Sequence, residues 1–476
     1  MLVDIVKLVG LDFGTTTSSA VVASARLLAN SVTGRKELTQ ISETYRSDIL
    51  FTPYAGNRLD ETKLAEYLDS WLDAGSVQPG EVFGGGALLT GLAAQKENAD
   101  TLRQLVRSRI GGAFIASADD PCLESWLAFM GNNAALSRTK PNTWFLNLDI
   151  GGGTTNLALG INGEVVTTGC LFVGARHVEL LPGTYRIKKL SSYARALFDH
   201  LGIPKVSGDE LSKENVKDLL AFYLRLLEAA ILGQREVFEE PVTRLHEQVP
   251  FHPDITSYNP ETIALTLSGG VGELVYVTLE GKPLPPTTYF GDLGIDLAER
   301  LLGSPFWSGH LGKHVPAGGG RATVYGLMRH STQISGNTVY LADPAILPLQ
   351  EIPIFGTITD TTDEGRVRSL IGLANQSPRG GCVRIRLGDR SPGGVRNLGT
   401  RISTVIVKER FPDHHPLVIL VEENLGKALG QYISQWGRLA LSLVVIDEIA
   451  VRDAQYVNIG SIRDQALPVS FFGLES

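Results

Sequence analysis

Cysteine is scarce in this chain. Cys122, Cys170 and Cys382 are the only three in 476 residues, far apart and without a ligand pair, so neither a disulfide framework nor a zinc or iron–sulfur site is expected. Positive charge is also short. Against 51 Asp and Glu stand 43 Lys and Arg, a formal net charge of −8, which argues against a general nucleic-acid or anionic-membrane binder. No uninterrupted apolar run reaches the length of a membrane-spanning helix. The first residues show no basic stretch leading into an apolar signal core. A cytoplasmic globular protein is the expectation, and 476 residues predict two to three domains.

Glycine, by contrast, is abundant: 52 residues, well above average usage. Part of it belongs to a pattern that occurs twice. Residues 8–23 read Leu-Val-Gly-Leu-Asp-Phe-Gly-Thr-Thr-Thr-Ser-Ser-Ala-Val-Val-Ala, and residues 145–160 read Phe-Leu-Asn-Leu-Asp-Ile-Gly-Gly-Gly-Thr-Thr-Asn-Leu-Ala-Leu-Gly. Asp12 aligns with Asp149, Gly14 with Gly151 and Thr17 with Thr154. Each copy predicts an apolar strand, a Gly/Thr turn and a second apolar strand, a β-hairpin whose tip sits close to something. Without a Cβ, glycine lets a ligand approach the backbone N–H groups. Those groups with threonine hydroxyls make a cradle for phosphate oxygens. A carboxylate beside such a cradle repels phosphate unless a cation or water intervenes, so Asp12 and Asp149 imply hydrated Mg²⁺.

Between the two copies, residues 24–60 read as mixed and polar, with a strand suggested at 48–51. Leu64, Tyr67, Leu68, Trp71 and Leu72 fall at helical spacing over 61–74. Residues 82–91 read as a strand entering a Gly turn, followed by a helix through Ile110. The triple glycine at 84–86 lacks the Asp and Thr of the hairpins and reads as close sheet packing. Residues 113–118 suggest a short strand, and Asp119-Asp120-Pro121 opens a helix, since proline is tolerated in a first turn. Glu124 lies in that turn. It either points into a cleft or complements the helix dipole.

Beyond the second copy, residues 208–239 carry a long helical stripe, and 241–260, with Pro250, Pro253 and Pro260 after its opening Pro241, reads as a connector. Ile263-Ala-Leu-Thr-Leu-Ser-Gly-Gly-Val-Gly-Glu273 then predicts a strand, a glycine turn and a helix, the way α/β proteins bind nucleotides at the carboxyl ends of strands. Residues 318–331 predict a turn and a helix returning to the cleft. From about 340 the chain changes character. Strands at 383–387, 402–407 and 417–421 and a helix at 424–436 predict an added α/β domain. Lys427 reads as a helix-face lysine, and His414 and His415 as loop histidines. The expected domains are 1–140, 141–340 and 341–476.

The ordered set Asp12-Phe-Gly-Thr-Thr-Thr17, Asp149-Ile-Gly-Gly-Gly-Thr-Thr155 and Ser268-Gly-Gly-Val-Gly-Glu273 resembles the actin-like ATPase superfamily of actin, heat-shock chaperone ATPases and sugar kinases. The resemblance implies an α/β fold with two duplicated domains facing across a nucleotide cleft, plus the C-terminal α/β domain. It narrows at Leu265–Glu273, at Arg321–Gly326 followed by His330, and at Phe411–Leu420, Leu425–Gly430 and Val445–Arg452. Together these stretches look like the reactivating factors of ethanolamine ammonia-lyase, across nearly the whole chain. Members are chaperones that use ATP and Mg²⁺ to release damaged cobalamin from the lyase so that intact adenosylcobalamin can enter.

The resemblance therefore implies an ATPase with ATP and Mg²⁺ as cofactors and ethanolamine ammonia-lyase as its protein client. It implies a location in the cytoplasm, with association with a bacterial microcompartment allowed for, as is a homodimer; no nucleic-acid or membrane partner is expected. By position, Gly14, Thr15, Thr16 and Thr17 would hold one side of the phosphates, and Gly151, Gly152, Gly153, Thr154 and Thr155 the other. Asp12 and Asp149 would position hydrated Mg²⁺ and the attacking water. Ser268, Gly269, Gly270, Val271 and Gly272 would contact the nucleoside, and Glu124 falls where related ATPases carry a water-orienting carboxylate. Tyr325, Leu327 and Met328 depart from the small residues expected there, which predicts looser helix packing and looser cleft closure. The Arg- and Gly-rich region 380–400 matches nothing. The alternative functions are a small-molecule kinase of the same superfamily, which needs a catalytic base that no stretch announces, and a filament-forming actin-like protein.

Overall fold

The computed structural model describes residues 4–32, 34–55, 58–78, 81–89, 98–111, 114–117, 120–253, 259, 262–316, 319–450, 452 and 454–474. Of the expectations above, Thr90, Gly91, Ala113, Ala118, Asp119 and most of 254–261 lie outside them.

The duplicated motif is duplicated in topology as well. In the first sheet, Lys36–Arg46 pairs antiparallel with Thr17–Ala29, which pairs antiparallel with Asp4–Phe13, which pairs parallel with Val82–Leu89. In the second, Glu164–Leu171 pairs antiparallel with Thr155–Ile161, which pairs antiparallel with Phe145–Ile150, which pairs parallel with Ala264–Ser268. Each half thus has the strand order third, second, first, fourth. Phe114–Ser117 extends the first sheet and Glu247–Val249 the second. All six residues of Phe145–Ile150 are buried, as expected of a strand covered on both faces. A third sheet of eight strands follows. Its centre is parallel, running from Leu349–Thr359 through Gly381–Arg386 and Leu417–Val421 to Leu443–Ile446. The fold class is α/β, as expected.

Local signals explain most of the elements. The helix Glu61–Ala74 has the predicted bounds, with Asp60 capping its N-terminus and Leu64, Leu68, Trp71 and Leu72 buried. Lys213–Leu232 begins with a capping box of Ser212 and Asn215 and ends on Gly233 in the left-handed conformation. Three expectations are corrected and one helix is added. The mixed segment 24–60 contains the strand Lys36–Arg46, whose residues are exposed or half-buried throughout, so no apolar alternation betrays it. A helix, Ser192–Leu201, fills a stretch that carried no prediction. The connector at 241–260 holds a short helix, Pro241–Leu245, and an edge strand. Residues 402–407 are not a strand but the end of the helix Pro392–Lys408. Ser391 caps that helix and Pro392 occupies its first turn, while Val395, Leu398, Ile402, Val405 and Ile406 face one core at helical spacing.

The helices Pro121–Asn132 and Ala322–His330 cross at backbone contact. A Cβ built on Gly131 would lie 1.8 Å from the Ala322 carbonyl oxygen, and one on Gly326 would lie 2.0 Å from the Leu127 carbonyl oxygen. The looser packing expected from Tyr325, Leu327 and Met328 is therefore not found. These bulky side chains flank the crossing. Leu327 packs with Leu88, Leu123 and Leu127, and Tyr325 and Met328 pack on the first hairpin with Leu8 and Val21.

Candidate functional site

Both hairpin tips close in the same way. Gly14 N–H donates to the Thr17 carbonyl at 2.9 Å, and Gly151 N–H donates to the Thr154 carbonyl at 2.9 Å. The first tip is held from outside: Thr52 Oγ1 donates to the Gly14 carbonyl at 2.7 Å and the Tyr54 hydroxyl to the Thr15 carbonyl at 2.9 Å. The second tip rests on the next strand-to-loop segment, where Ala175 and Arg176 N–H donate to the Gly151 and Gly152 carbonyls at 3.1 and 2.6 Å. The tips meet. A Cβ on Gly152 would fall 2.2 Å from Thr16 Oγ1, so a side chain there would displace the Thr16 hydroxyl.

Between the tips lies a cleft of about 370 Å³, the size of a small-molecule site. Asp12, Gly14, Thr15, Thr16 and Thr17 line it from one half, and Asp149, Gly151, Gly152, Gly153 and Thr154 from the other. Gly269, Gly270 and Val271 line it at the start of the helix Gly269–Leu279. Gly269 has φ +74°, and its Cβ would lie 2.7 Å from Asp149 Oδ1, so the turn is built for glycine. Glu124 also faces the cleft, from a helix whose N-cap, Asp120, accepts from Leu123 N–H at 2.8 Å. Of the two readings of Glu124, its position favours the cleft.

Three predicted residues are not part of the lining. Thr155 is fully buried and its hydroxyl donates to the Val173 carbonyl at 2.8 Å. Gly272 packs on Leu267. Ser268 is fully buried, accepts from Asn147 Nδ2 at 2.9 Å and stands beside Asp149 as its parallel-strand partner.

The two aspartates differ in setting. Asp149 is 8% exposed, and burial pushes its carboxyl up to about 6, with the Ser268 hydroxyl pulling the other way. Asp12 is half-buried. Behind the second tip, His177 is fully buried, and burial holds its ring down at about 4. The ring is neutral there at neutral pH.

Sequence reasoning missed the apolar end of the cleft. Ile49, Phe51, Leu274, Val277, Leu284, Pro285 and Phe290 line it, and the rings of Phe51 and Phe290, from opposite halves, lie 6.2 Å apart. It also missed Asp292, a buried carboxylate whose Oδ1 accepts from Gly294 N–H at 2.9 Å. The run Phe290-Gly-Asp-Leu-Gly294, an Asp between two glycines, was the available signal. Among the described residues no helix is long and apolar enough to cross a membrane, and no group of three His, Cys, Asp or Glu forms a metal cage.

The family described as ethanolamine utilisation protein EutA matches residues 4–473. The ethanolamine ammonia-lyase reactivase EutA of Salmonella typhimurium strain LT2 is 30% identical over 459 residues, 95% of this chain and 94% of that protein. The protein of the same name from Escherichia coli K12 is 29% identical over 467 residues, again 95% and 94% of the two chains. Among solved structures, the ethanolamine utilization protein EutJ of Carboxydothermus hydrogenoformans is 16% identical, covering 61% of this chain and 89% of its own, at a TM-score of 0.25, a superposition too loose to bear on the fold. With the family match running almost end to end, the chain belongs to the ethanolamine utilisation protein EutA family.

Proposed function

We propose that this protein is an ATPase that reactivates ethanolamine ammonia-lyase: it binds ATP with Mg²⁺ in the cleft, and hydrolysis drives the release of damaged cobalamin so that intact adenosylcobalamin enters. One observation carries the reading. Two hairpins with the same closing bond face each other across one cleft, with Asp12 and Asp149 in its walls. The residues fit the group. Backbone N–H groups and threonine hydroxyls suit phosphate oxygens, and two carboxylates are the hard oxygen donors that hold hydrated Mg²⁺. Bound Mg²⁺ would neutralise phosphate charge. The chain's own residues would do the rest: the Gly151–Thr154 and Gly14–Thr17 tips grip the phosphates from two sides, Asp149 and Glu124 orient water, and the apolar end packs the base. Clasping both halves around one nucleotide makes its hydrolysis a signal for the halves to move. The client reading rests on the two reactivases that this chain matches over 95% of its length, and the proposed location is the cytoplasm, beside that enzyme.

The test supplies lyase inactivated with damaged cobalamin, then adds this protein, ATP, Mg²⁺ and fresh adenosylcobalamin. Turnover returns only when all are present. No recovery, or equal recovery without ATP, rejects the reading. ATP consumption stimulated by a sugar or an acid, and not by the lyase, would instead support the kinase alternative.

A further inference from the structure

A row of buried polar side chains runs behind the cleft wall, where apolar packing is the usual choice. Asn133, Asn147, Thr266 and Ser268 are fully buried, and Asn132 is nearly so. Most of their hydrogen bonds run toward Asp149, though the Thr266 hydroxyl also lies 3.4 Å from the Leu146 carbonyl. Asn133 Nδ2 donates to Thr266 Oγ1 at 2.6 Å, and Thr266 Oγ1 donates in turn to Asn147 Oδ1 at 3.1 Å. Asn132 Nδ2 donates to the same Oδ1 at 2.8 Å and to the Leu267 carbonyl at 3.1 Å. Asn147 Nδ2 then donates to Ser268 Oγ at 2.9 Å. A hydroxyl that accepts there has one proton left to give, and Ser268 stands beside Asp149 as its parallel-strand partner, with the hydroxyl holding that carboxyl down against burial.

The row joins three elements that have no covalent reason to stay in register. Asn132 ends the helix that carries Glu124 in its first turn, next to the Gly131 crossing. Asn147 stands two residues before Asp149 on one strand, so both side chains leave the same face. Ser268 is the parallel-strand partner of Asp149. Each member needs the next, because a buried amide or hydroxyl without its partner is penalised. The network therefore favours one arrangement of helix, strand and turn, although the Oδ1 atoms of Asn132 and Asn133 are buried without a hydrogen-bond partner among the described residues. Apolar side chains would pack the same three elements, but they would not hand a directed donor to Asp149.

We propose that Asn132, Asn147 and Ser268 are positioning residues for Asp149. The row ties its carboxylate to the end of the helix that bears Glu124, so that the two acidic groups keep one relative placement while the cleft opens and closes. The proposal rests on the ATPase reading above. It assigns to Ser268 a place behind Asp149 and not on the nucleoside.

The test measures ATP turnover with Mg²⁺ for the unaltered chain and for Ser268→Ala, Ser268→Thr, Asn147→Ala and Asn132→Ala. Ser268→Ala is expected to lower kcat about tenfold while KM for ATP stays within about twofold, because placement is lost and binding is not. Asn147→Ala falls less and Asn132→Ala about threefold, in order of distance along the row. Ser268→Thr, which keeps the hydroxyl, restores most of the rate. Combining Ser268→Ala with Asn147→Ala costs no more than Ser268→Ala alone, since both cut one path. A uniform loss in kcat and affinity that tracks melting temperature, additive losses, or turnover equal to the unaltered chain would each overturn the proposal and leave the ATPase reading standing. Should Ser268→Ala not fold, Asn132→Ala carries the test from the far end of the row. An unaltered chain that does not hydrolyse ATP at all rejects the ATPase reading, and the assigned role with it.

Discussion

The crossing of the Pro121–Asn132 and Ala322–His330 helices gives a sharp mutational test. In Gly131→Ala the new methyl would start 1.8 Å from the Ala322 carbonyl oxygen and 2.6 Å from the Gly326 nitrogen. Both are backbone atoms, so no rotamer relieves the overlap, and the helices must part by about 1.5 Å to reach ordinary contact. Alanine gains about 1 kcal/mol over glycine in a helix interior. Overpacking costs typically about 1–3 kcal/mol, at the upper end here because Leu123, Leu127 and Leu327 lose contact as the helices separate. The net is a destabilisation of about 2 kcal/mol. Gly326→Ala, 2.0 Å from the Leu127 carbonyl oxygen, should behave alike. Gly372→Ala is the control. It lies within the helix Glu364–Gln376 with nothing within 4 Å of its Cβ, and it should stabilise by about 0.5–1 kcal/mol. Denaturant unfolding of the three variants measures the signs. Gly131→Ala and Gly326→Ala as stable as the unaltered chain would refute the close crossing. Because the same helix carries Glu124, both variants should also lose ATP turnover.

Other consequences are separately measurable. Asp120 Oδ1 caps Leu123 N–H at 2.8 Å while Oδ2 accepts from Gly473 N–H at 2.8 Å, so Asp120→Ala loses a cap and a tie to the last strand, about 2 kcal/mol in unfolding. His177 is held neutral by burial down to about 4, against about 6.5 when unfolded. It therefore contributes stability above pH 6.5 that is lost as pH falls through 4, up to about 3 kcal/mol, and His177→Gln should flatten the acid side of a melting-temperature profile. Phe51 and Phe290 bridge the halves at the apolar end of the cleft. An aromatic pair contributes about 0.5–1.5 kcal/mol, so Phe51→Ala should release a fluorescent ATP analogue about threefold to tenfold faster in stopped flow.

The parts of the molecule legible in its sequence are those whose cause is local. Gly and Thr at a hairpin tip do their work within four residues, and so both tips stand where Asp12 and Asp149 predicted. The Asp60 cap and the capping box at Ser212 likewise act on their own first turns. What escaped depends on distant partners. Lys36–Arg46 is a strand because Thr17–Ala29 pairs with it, not because of its own pattern. The β-branched run at 402–407 imitates a strand until the Ser391-Pro392 start signal is given its weight. Tyr325, Leu327 and Met328 predict loose packing, but Gly131 and Gly326 bring the two backbones together while the bulky side chains flank the crossing. The apolar wall of Leu274, Val277 and Phe290 exists only once the glycine turn at 269 has aimed its helix.

The duplicated hairpins do not make duplicate aspartates, and the difference can be measured. Asp12 is half-buried, whereas Asp149 is 8% exposed, with its carboxyl pushed up to about 6 by burial. Relative to about 3.9 in an unfolded chain, a raised carboxylate contributes stability that is present in acid and lost as pH rises through 6. At neutral pH the folded protein thus bears a penalty of roughly 3 kcal/mol for keeping Asp149 charged. Asparagine has the same shape and no charge, so Asp149→Asn should melt higher than the unaltered chain above pH 6, the gain vanishing near pH 4. The same variant should lose roughly 100-fold in ATP turnover. Asp12→Asn should show no comparable gain in melting temperature. A side chain that weakens the fold while supporting the chemistry marks a functional site. An Asp149→Asn protein that turns over ATP normally would remove Asp149 from the mechanism; one that is no more stable at neutral pH would show that the carboxylate is not buried as charge.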